Sequence, residues 1–117
     1  MTDKTKEPQV LLEEWRRKID AIDIELVNLL NKRAQCAEEI GKVKLILNMS
    51  AYSPEREEEV MKNVMEQNPG PLSRQALRRL FERIIDESRA IERTAMQTSP
   101  KSVWREGNDG KSNPNKS

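Results

Sequence analysis

The sequence predicts an all-α fold of three helices, one very long, one short and one medium. Three observations carry that expectation. Apolar residues recur at Leu12, Trp15, Ile19, Ile22, Leu26, Leu29, then after Arg33 at Cys36, Ile40, Val43 and Leu47. Steps of three and four along this series are the signature of a helix with one face set against other helices. Between Gln9 and Asn48 there is no proline and a single glycine, Gly41. No internal repeat and no alternating strand pattern is present anywhere in the chain.

Taken in order, Met1 to Pro8 read as a polar, disordered lead-in, and residues 9–97 as one helical domain. A first helix from Gln9 to about Asn48 would be roughly 55–60 Å long at ~1.5 Å per residue, well above the usual globular length. Asn48-Met49-Ser50-Ala51-Tyr52 form a short connection. Ser53-Pro54 then opens a second helix, with the serine suited to capping and the proline to the first turn. Its inward residues are Val60, Met61, Val64 and Met65, and Pro69-Gly70-Pro71 ends it. Ser73 is the expected cap of a third helix, whose inner stripe is Leu77, Phe81, Ile84, Ser88, Ile91 and Ala95. From residue 98 to 117 the chain turns to Ser, Pro, Lys, Asn and Gly, with Trp104 isolated among them, and reads as a disordered tail.

Composition narrows the field. Aromatic residues make up 3% of the 117 residues and charged residues 35%, so a compact monomer would have a thin core, and small helical domains of this kind gain burial by oligomerising. The first helix overhangs what two shorter successors can cover. A second copy of the chain is the simplest cover for its seam, which predicts a homodimer whose long helices contribute to both halves. A formal charge of +1 argues against a polyanion as the main partner. Arg74, Arg78, Arg79 and Arg83 do not form a nucleic-acid stripe either, because Glu82, Asp86 and Glu87 interrupt them. Cys36, the only cysteine, is expected to be a buried, inert thiol on the seam. With no secretory core at the start and no apolar run of membrane-spanning length, a cytoplasmic protein without membrane contact is expected.

Chemistry must come from few residue types. The chain has no histidine, no Cys/His cluster, no glycine-rich phosphate loop and no Ser-His-Asp set, so neither a metal nor a cofactor is expected. Arg33 instead stands out, because it breaks the apolar seam, and a charge there needs a negative partner. Lys44 follows eleven residues later, about three turns or ~16 Å along the helix and nearly in phase. Leu30, Arg33, Ala37, Ile40 and Lys44 thus form one stripe with two cations, which an anionic ligand could bridge. The plainer alternative is that both snorkel to water or pair with Glu57 or Glu92. On the third helix Ser88 occupies a seam position and Glu92 lies one turn beyond, while Arg56 and Glu57 open the second helix. Taken singly, a serine bonded to its own helix, a solvated glutamate and an acid at a helix start are all ordinary.

These residues together resemble the all-helical (AroQ-class) chorismate mutases, from about Leu12 to Arg93. The resemblance is carried by Arg16-Arg17-Lys18-Ile19-Asp20-Ala21-Ile22-Asp23, Leu29-Leu30-Asn31-Lys32-Arg33 and Ile40-Gly41-Lys42-Val43-Lys44. It continues in Arg56-Glu57 after a short loop, and in Leu80-Phe81 with Ile84-Ile85 ahead of Ser88. It implies an intertwined homodimer of three-helix chains and the Claisen rearrangement of chorismate to prephenate in aromatic amino acid (Phe/Tyr) biosynthesis. Such a pericyclic step needs no nucleophile, metal or cofactor. It needs a dianion held in a reactive shape and donors at the ether oxygen as the C–O bond breaks.

By that resemblance Arg33 holds one substrate carboxylate and Arg16 of the partner subunit the other. Geometry agrees, because Arg16 precedes Arg33 by seventeen residues, ~25 Å of helix, too far for both to serve one small ligand in cis. Lys44 is expected to donate to the ether oxygen and a carboxylate. Glu57 would accept from the ring hydroxyl, Arg56 would support that end of the pocket, and Ser88 would contact the ligand from the third helix. Two departures stand out. Ser53 replaces an aspartate found in many relatives, keeping the cap but losing an anionic acceptor. Glu92 stands where some relatives carry glutamine, and a glutamate can donate to the ether oxygen only when protonated.

Two alternatives remain beside the mutase. One is an isochorismate pyruvate-lyase on the same fold, and the other is a non-catalytic helical dimer whose cations are plain salt bridges. The sequence also leads us to expect no fused dehydratase, dehydrogenase or synthase domain after the third helix.

Overall fold

The computed structural model describes residues 7–98. Three α-helices make up the described chain: α1 (Pro8–Ile46), α2 (Pro54–Gln67) and α3 (Arg74–Thr98), with no strand among the described residues. Helix α1 begins at Pro8, one residue earlier than expected, since proline fits a first helical turn where its missing N–H has no partner to lose. The expected lead-in before Glu7 and the tail beyond Thr98 lie outside the described residues.

The chain divides into two compact units at Arg33 and Ala34. The described part of the first is the helical stretch of α1 up to Arg33. Only Leu11, Glu14 and Arg33 are half-buried there. Trp15 and Leu29 are each 60% exposed, and Ile19, Ile22 and Leu26 are exposed with them.

The second unit holds the rest of α1 with α2 and α3. Its buried apolar residues include Ala37, Ala51, Met65, Leu77, Ile85 and Ala95. On α1 the buried positions are Ala37 and Gly41, one step round the helix from the seam residues Cys36 and Ile40. Gly41 explains the close packing. A Cβ built there would lie 2.6 Å from the backbone carbonyl oxygen of Glu92 and 2.9 Å from Ala95 Cβ. Helix α3 therefore runs directly over the glycine. Cys36 is exposed, contrary to the buried thiol expected. The reason is angular: α3 covers the Ala37/Gly41 face, and the neighbouring residue points ~100° away from it.

Between α1 and α2, Asn48 adopts a left-handed conformation (φ 60°). The Met49 N–H donates to the Lys44 carbonyl (2.8 Å) and the Asn48 N–H to the Leu45 carbonyl (3.2 Å). This is a Schellman closure, and asparagine tolerates its left-handed residue better than most side chains. It turns the chain back so that Ala51 is buried beside the end of α1. At the start of α2 the expected Ser53 cap is not made. Its hydroxyl has no capping bond, and its ψ of 83° departs from the extended value that aims a cap side chain at the first turn. The Ser53 carbonyl still accepts from the Glu57 N–H at 3.0 Å. Ser73, by contrast, caps α3 as expected, its Oγ accepting from the Ala76 N–H at 3.0 Å.

The inward faces of α2 and α3 follow the sequence reading. Val60, Met61 and Val64 are half-buried and Met65 buried, while Phe81, Ile84 and Ile91 are half-buried between Leu77 and Ala95. Gly70 takes φ +83° in the connecting loop, a conformation open to glycine. Its N–H donates to Asn68 Oδ1 at 2.9 Å.

Candidate active site

The second unit holds two ion pairs, of which the spacing of residues left open only that of Lys44 with Glu92. Lys44 Nζ lies 2.8 Å from Glu92 Oε1, with both side chains nearly buried (12% and 14% exposed). The ammonium also donates to the Ala51 carbonyl at 2.9 Å. The fold prepares this arrangement twice. The Schellman turn returns Ala51 to the Lys44 side chain, and Gly41 lets α3 approach closely enough for Glu92 to reach it. Yet the contact is ionic rather than directional: Glu92 Oε1 is buried and has no hydrogen-bond partner among the described residues. A carboxylate paired with an ammonium keeps lone pairs that a ligand's donor can meet.

A second pair joins α3 to the first turn of α2. Arg89 donates through Nε to Glu57 Oε2 (2.9 Å) and through Nη2 to Glu57 Oε1 (2.7 Å). The Tyr52 ring centroid lies 5.2 Å from the guanidinium carbon, and Asp86 Oδ1 is 3.4 Å from Nη1. Hydrogen bonding to Glu57 raises the Arg89 pKa above its ordinary value, outweighing desolvation, which acts the other way. This bidentate fork uses one lone pair on each carboxylate oxygen and leaves others open to accept.

Other residues singled out in the sequence are placed as follows. Ser88 is half-buried one turn before Glu92, and it is already engaged in an interaction. Arg56 points to solvent, paired with Glu59 at 2.9 Å with both side chains well exposed. In the first unit Arg33 is half-buried and is not a free cation. Arg16 is exposed and pairs with Glu13 at 3.1 Å. Among the described residues no group of three or more His, Cys, Asp or Glu is arranged to hold a metal. None of their helices is long and apolar enough to cross a membrane.

Arg89, Tyr52 and the Ala51 carbonyl were not legible as site components. The available signal for Arg89 was positional: it follows Ser88 and precedes Glu92 by three residues, within one turn of both. Chemically, the second unit offers a held ammonium, a nearly buried carboxyl group paired with it and a clamped carboxylate. Such a set can orient an anion and hydrogen-bond to it.

Comparison with known proteins agrees with this inventory. The family model described as chorismate mutase type II matches residues 15–93. A bifunctional chorismate mutase/prephenate dehydratase of Neisseria gonorrhoeae is 42% identical over 83 residues, covering 71% of this chain and 22% of the relative. The protein of the same description from Stutzerimonas stutzeri is 38% identical over 86 residues, covering 69% and 24%. The chain thus spans about a quarter or less of the length of these curated relatives. Among solved structures, chorismate mutase (form II) from Thermus thermophilus superposes with a TM-score of 0.68 at 32% identity, covering 70% of this chain and 93% of that one. The family match covers more than half of the chain, and the folds agree over nearly all of the solved structure. The chain belongs to the type II chorismate mutase family.

Proposed function

We propose that this chain rearranges chorismate to prephenate as a chorismate mutase, in the cytoplasmic biosynthesis of phenylalanine and tyrosine. The observation that carries the reading is the nearly buried Lys44–Glu92 pair. In a Claisen rearrangement the ether C–O bond breaks as a C–C bond forms, and negative charge develops on the ether oxygen. Donors fixed in advance at that oxygen lower the barrier because they need no reorganisation. Lys44 donates to the ether oxygen and to a substrate carboxylate. Glu92, when it holds a proton, donates to the same ether oxygen. Glu57 accepts from the ring hydroxyl, with Arg56 supporting that end and Ser88 contacting the ligand from α3. Arg56 can leave its partner cheaply, since an exposed ion pair contributes about 0–1 kcal/mol.

Arg33 takes one carboxylate of the dianion and Arg16 of the partner subunit takes the other. The homodimer this requires is supported by the exposed apolar face of α1, from Trp15 through Leu29, because runs of exposed apolar residues mark interaction surfaces. An intertwined pair would bury it.

The test is a chorismate-to-prephenate assay on the wild type beside Lys44→Ala and Arg33→Ala, with product identification and sedimentation. The wild type should form prephenate, and each variant should lose roughly 10²- to 10³-fold in kcat/KM, the range for removing one preorganised donor. Both variants should stay dimeric. An inactive wild type removes the reading. Release of pyruvate from isochorismate in place of prephenate formation moves it to the lyase, and loss of the dimer in Arg33→Ala moves Arg33 to a structural role.

A further inference from the structure

The Glu57–Arg89 fork ties the first turn of α2 to the turn of α3 that carries Ser88 and Glu92. We infer that Arg89 is a positioning residue: it holds the Glu57 carboxylate in the one orientation that accepts the substrate's ring hydroxyl. The inference rests on the mutase reading and adds to it a residue that makes no contact with substrate.

The geometry argues for orientation as well as attachment. Two parallel bonds, 2.9 Å from Nε to Oε2 and 2.7 Å from Nη2 to Oε1, fix the plane of the carboxylate, which a single contact would leave free to rotate. Arg89 is itself held from other sides, by Asp86 at 3.4 Å and by the Tyr52 ring. Both members of the pair are partly desolvated, with side chains 22% and 24% exposed, so solvent screens them less than a surface pair. Elsewhere the start of α2 is weakly anchored, because Ser53 makes no side-chain cap. Arg89 therefore sets where Glu57 sits, and its neighbours in sequence set where Ser88 and Glu92 sit. One turn of α3 registers all three. Lysine would not serve, since an ammonium is a point donor and cannot fix a carboxylate plane.

The experiment compares wild type, Arg89→Lys, Glu57→Gln and the double variant on chorismate and on an analogue whose ring hydroxyl is methylated. Thermal midpoints are followed in parallel. On chorismate, Arg89→Lys should lower kcat/KM roughly 10- to 100-fold, as expected when a contact is misplaced by about an ångström, while the midpoint moves by only a few degrees. On the methylated analogue, which has no proton for Glu57 to accept, the loss should shrink to a few-fold. In the Glu57→Gln background, Arg89→Lys should add little. Equal losses on both substrates, or losses that multiply independently in the double variant, overturn the inference and leave Arg89 as a staple between helices. The exchanged pair E57R/R89E guards against a folding artefact. It should recover the thermal midpoint without recovering activity, and recovered activity would also overturn the inference. A wild type that does not turn over chorismate removes the mutase reading and this inference with it, whereas turnover with equal losses removes the inference alone.

Discussion

The two halves of α1 share one helical periodicity and treat it in opposite ways. Up to Arg33, large residues such as Trp15, Ile19, Ile22 and Leu26 stand exposed. From Ala34 onward the same helix buries its smallest residues, Ala37 and Gly41, while Ile40 and Val43 on the seam remain exposed. Hydrophobic stabilisation scales with the apolar area removed from water, about 25 cal/mol per Å². A helix face whose Leu and Ile stay about half exposed leaves much of that stabilisation unrealised. The packed half works by another rule: small residues admit a neighbouring helix at short range, and polar groups beside them become ion pairs. Small residues thus mark the fold of the single chain, and the large ones mark the face that the proposed second copy would cover.

The strongest way to break this contrast is Leu26→Asp on the exposed half. Burying an unpaired carboxylate costs about 3–5 kcal/mol, roughly a hundred- to thousandfold or more in a dissociation constant. The variant should sediment as a monomer at concentrations where the wild type is dimeric, and its mutase activity should fall with the dimer. A Leu26→Asp protein that stays dimeric and active would show that this face is not the interface.

On the packed half, Gly41→Ala is the sharper probe because two effects compete. Alanine in place of glycine favours a helix by up to about 1 kcal/mol. Here its methyl group would lie 2.6 Å from a backbone oxygen on α3, which no side-chain rotation relieves. Overpacking of this kind costs about 1–3 kcal/mol, so the clash wins. The thermal midpoint should fall by several degrees, with activity falling too as α3 moves Glu92 away from Lys44. A raised midpoint would show that propensity outweighs the contact. Asn31→Ala, at an exposed α1 position where the side chain donates only to the Val27 carbonyl of its own helix, meets no such clash and should be nearly neutral.

This competition also explains what could be read in the sequence. Element order, the helix-breaking segments, the Ser73 cap and the inward stripes of α2 and α3 follow from periodicity and local chemistry, which a sequence displays directly. Lys44 and Glu92 stood out as polar residues near inward faces, and their pairing was one of several outcomes left open beside a bound anion. Gly41 was visible only as a lone glycine, because small residues carry no hydrophobic signal although they decide where helices meet. Arg89 was missed for a related reason: charged residues fill α3, and only its contact with Glu57, 32 positions away, distinguishes it from solvated neighbours. Ser53 misled in the other direction, since residue type suggests a cap but only backbone angles make one. Periodicity tells which face is apolar; it does not tell whether the same chain or another covers it.

Glu92→Gln has the smallest expected effect and sharpens the contrast at its polar end. The substitution keeps the shape of the side chain but replaces a group that donates only when protonated with an amide that donates at every pH. If Glu92 donates to the ether oxygen as a neutral acid, the wild-type rate falls as pH rises and the carboxyl loses its proton, approaching tenfold per unit in the limit. The glutamine variant should then have a flat profile and exceed the wild type at the alkaline end, while staying within about tenfold of it at the acidic end. It also ends the ion pair with Lys44, so its thermal midpoint should drop modestly, with the ammonium still held by the Ala51 carbonyl. Parallel profiles for the two proteins would sink the neutral-acid role and leave Glu92 as the counter-ion that holds Lys44 in place. Glu13→Gln, beside exposed Arg16 in the other half, is the matched control. Its carboxylate lies in water, where an amide changes little, so its profile should follow the wild type's. A pH dependence that answers to Glu92 and ignores Glu13 would locate the donor in the packed half of the chain.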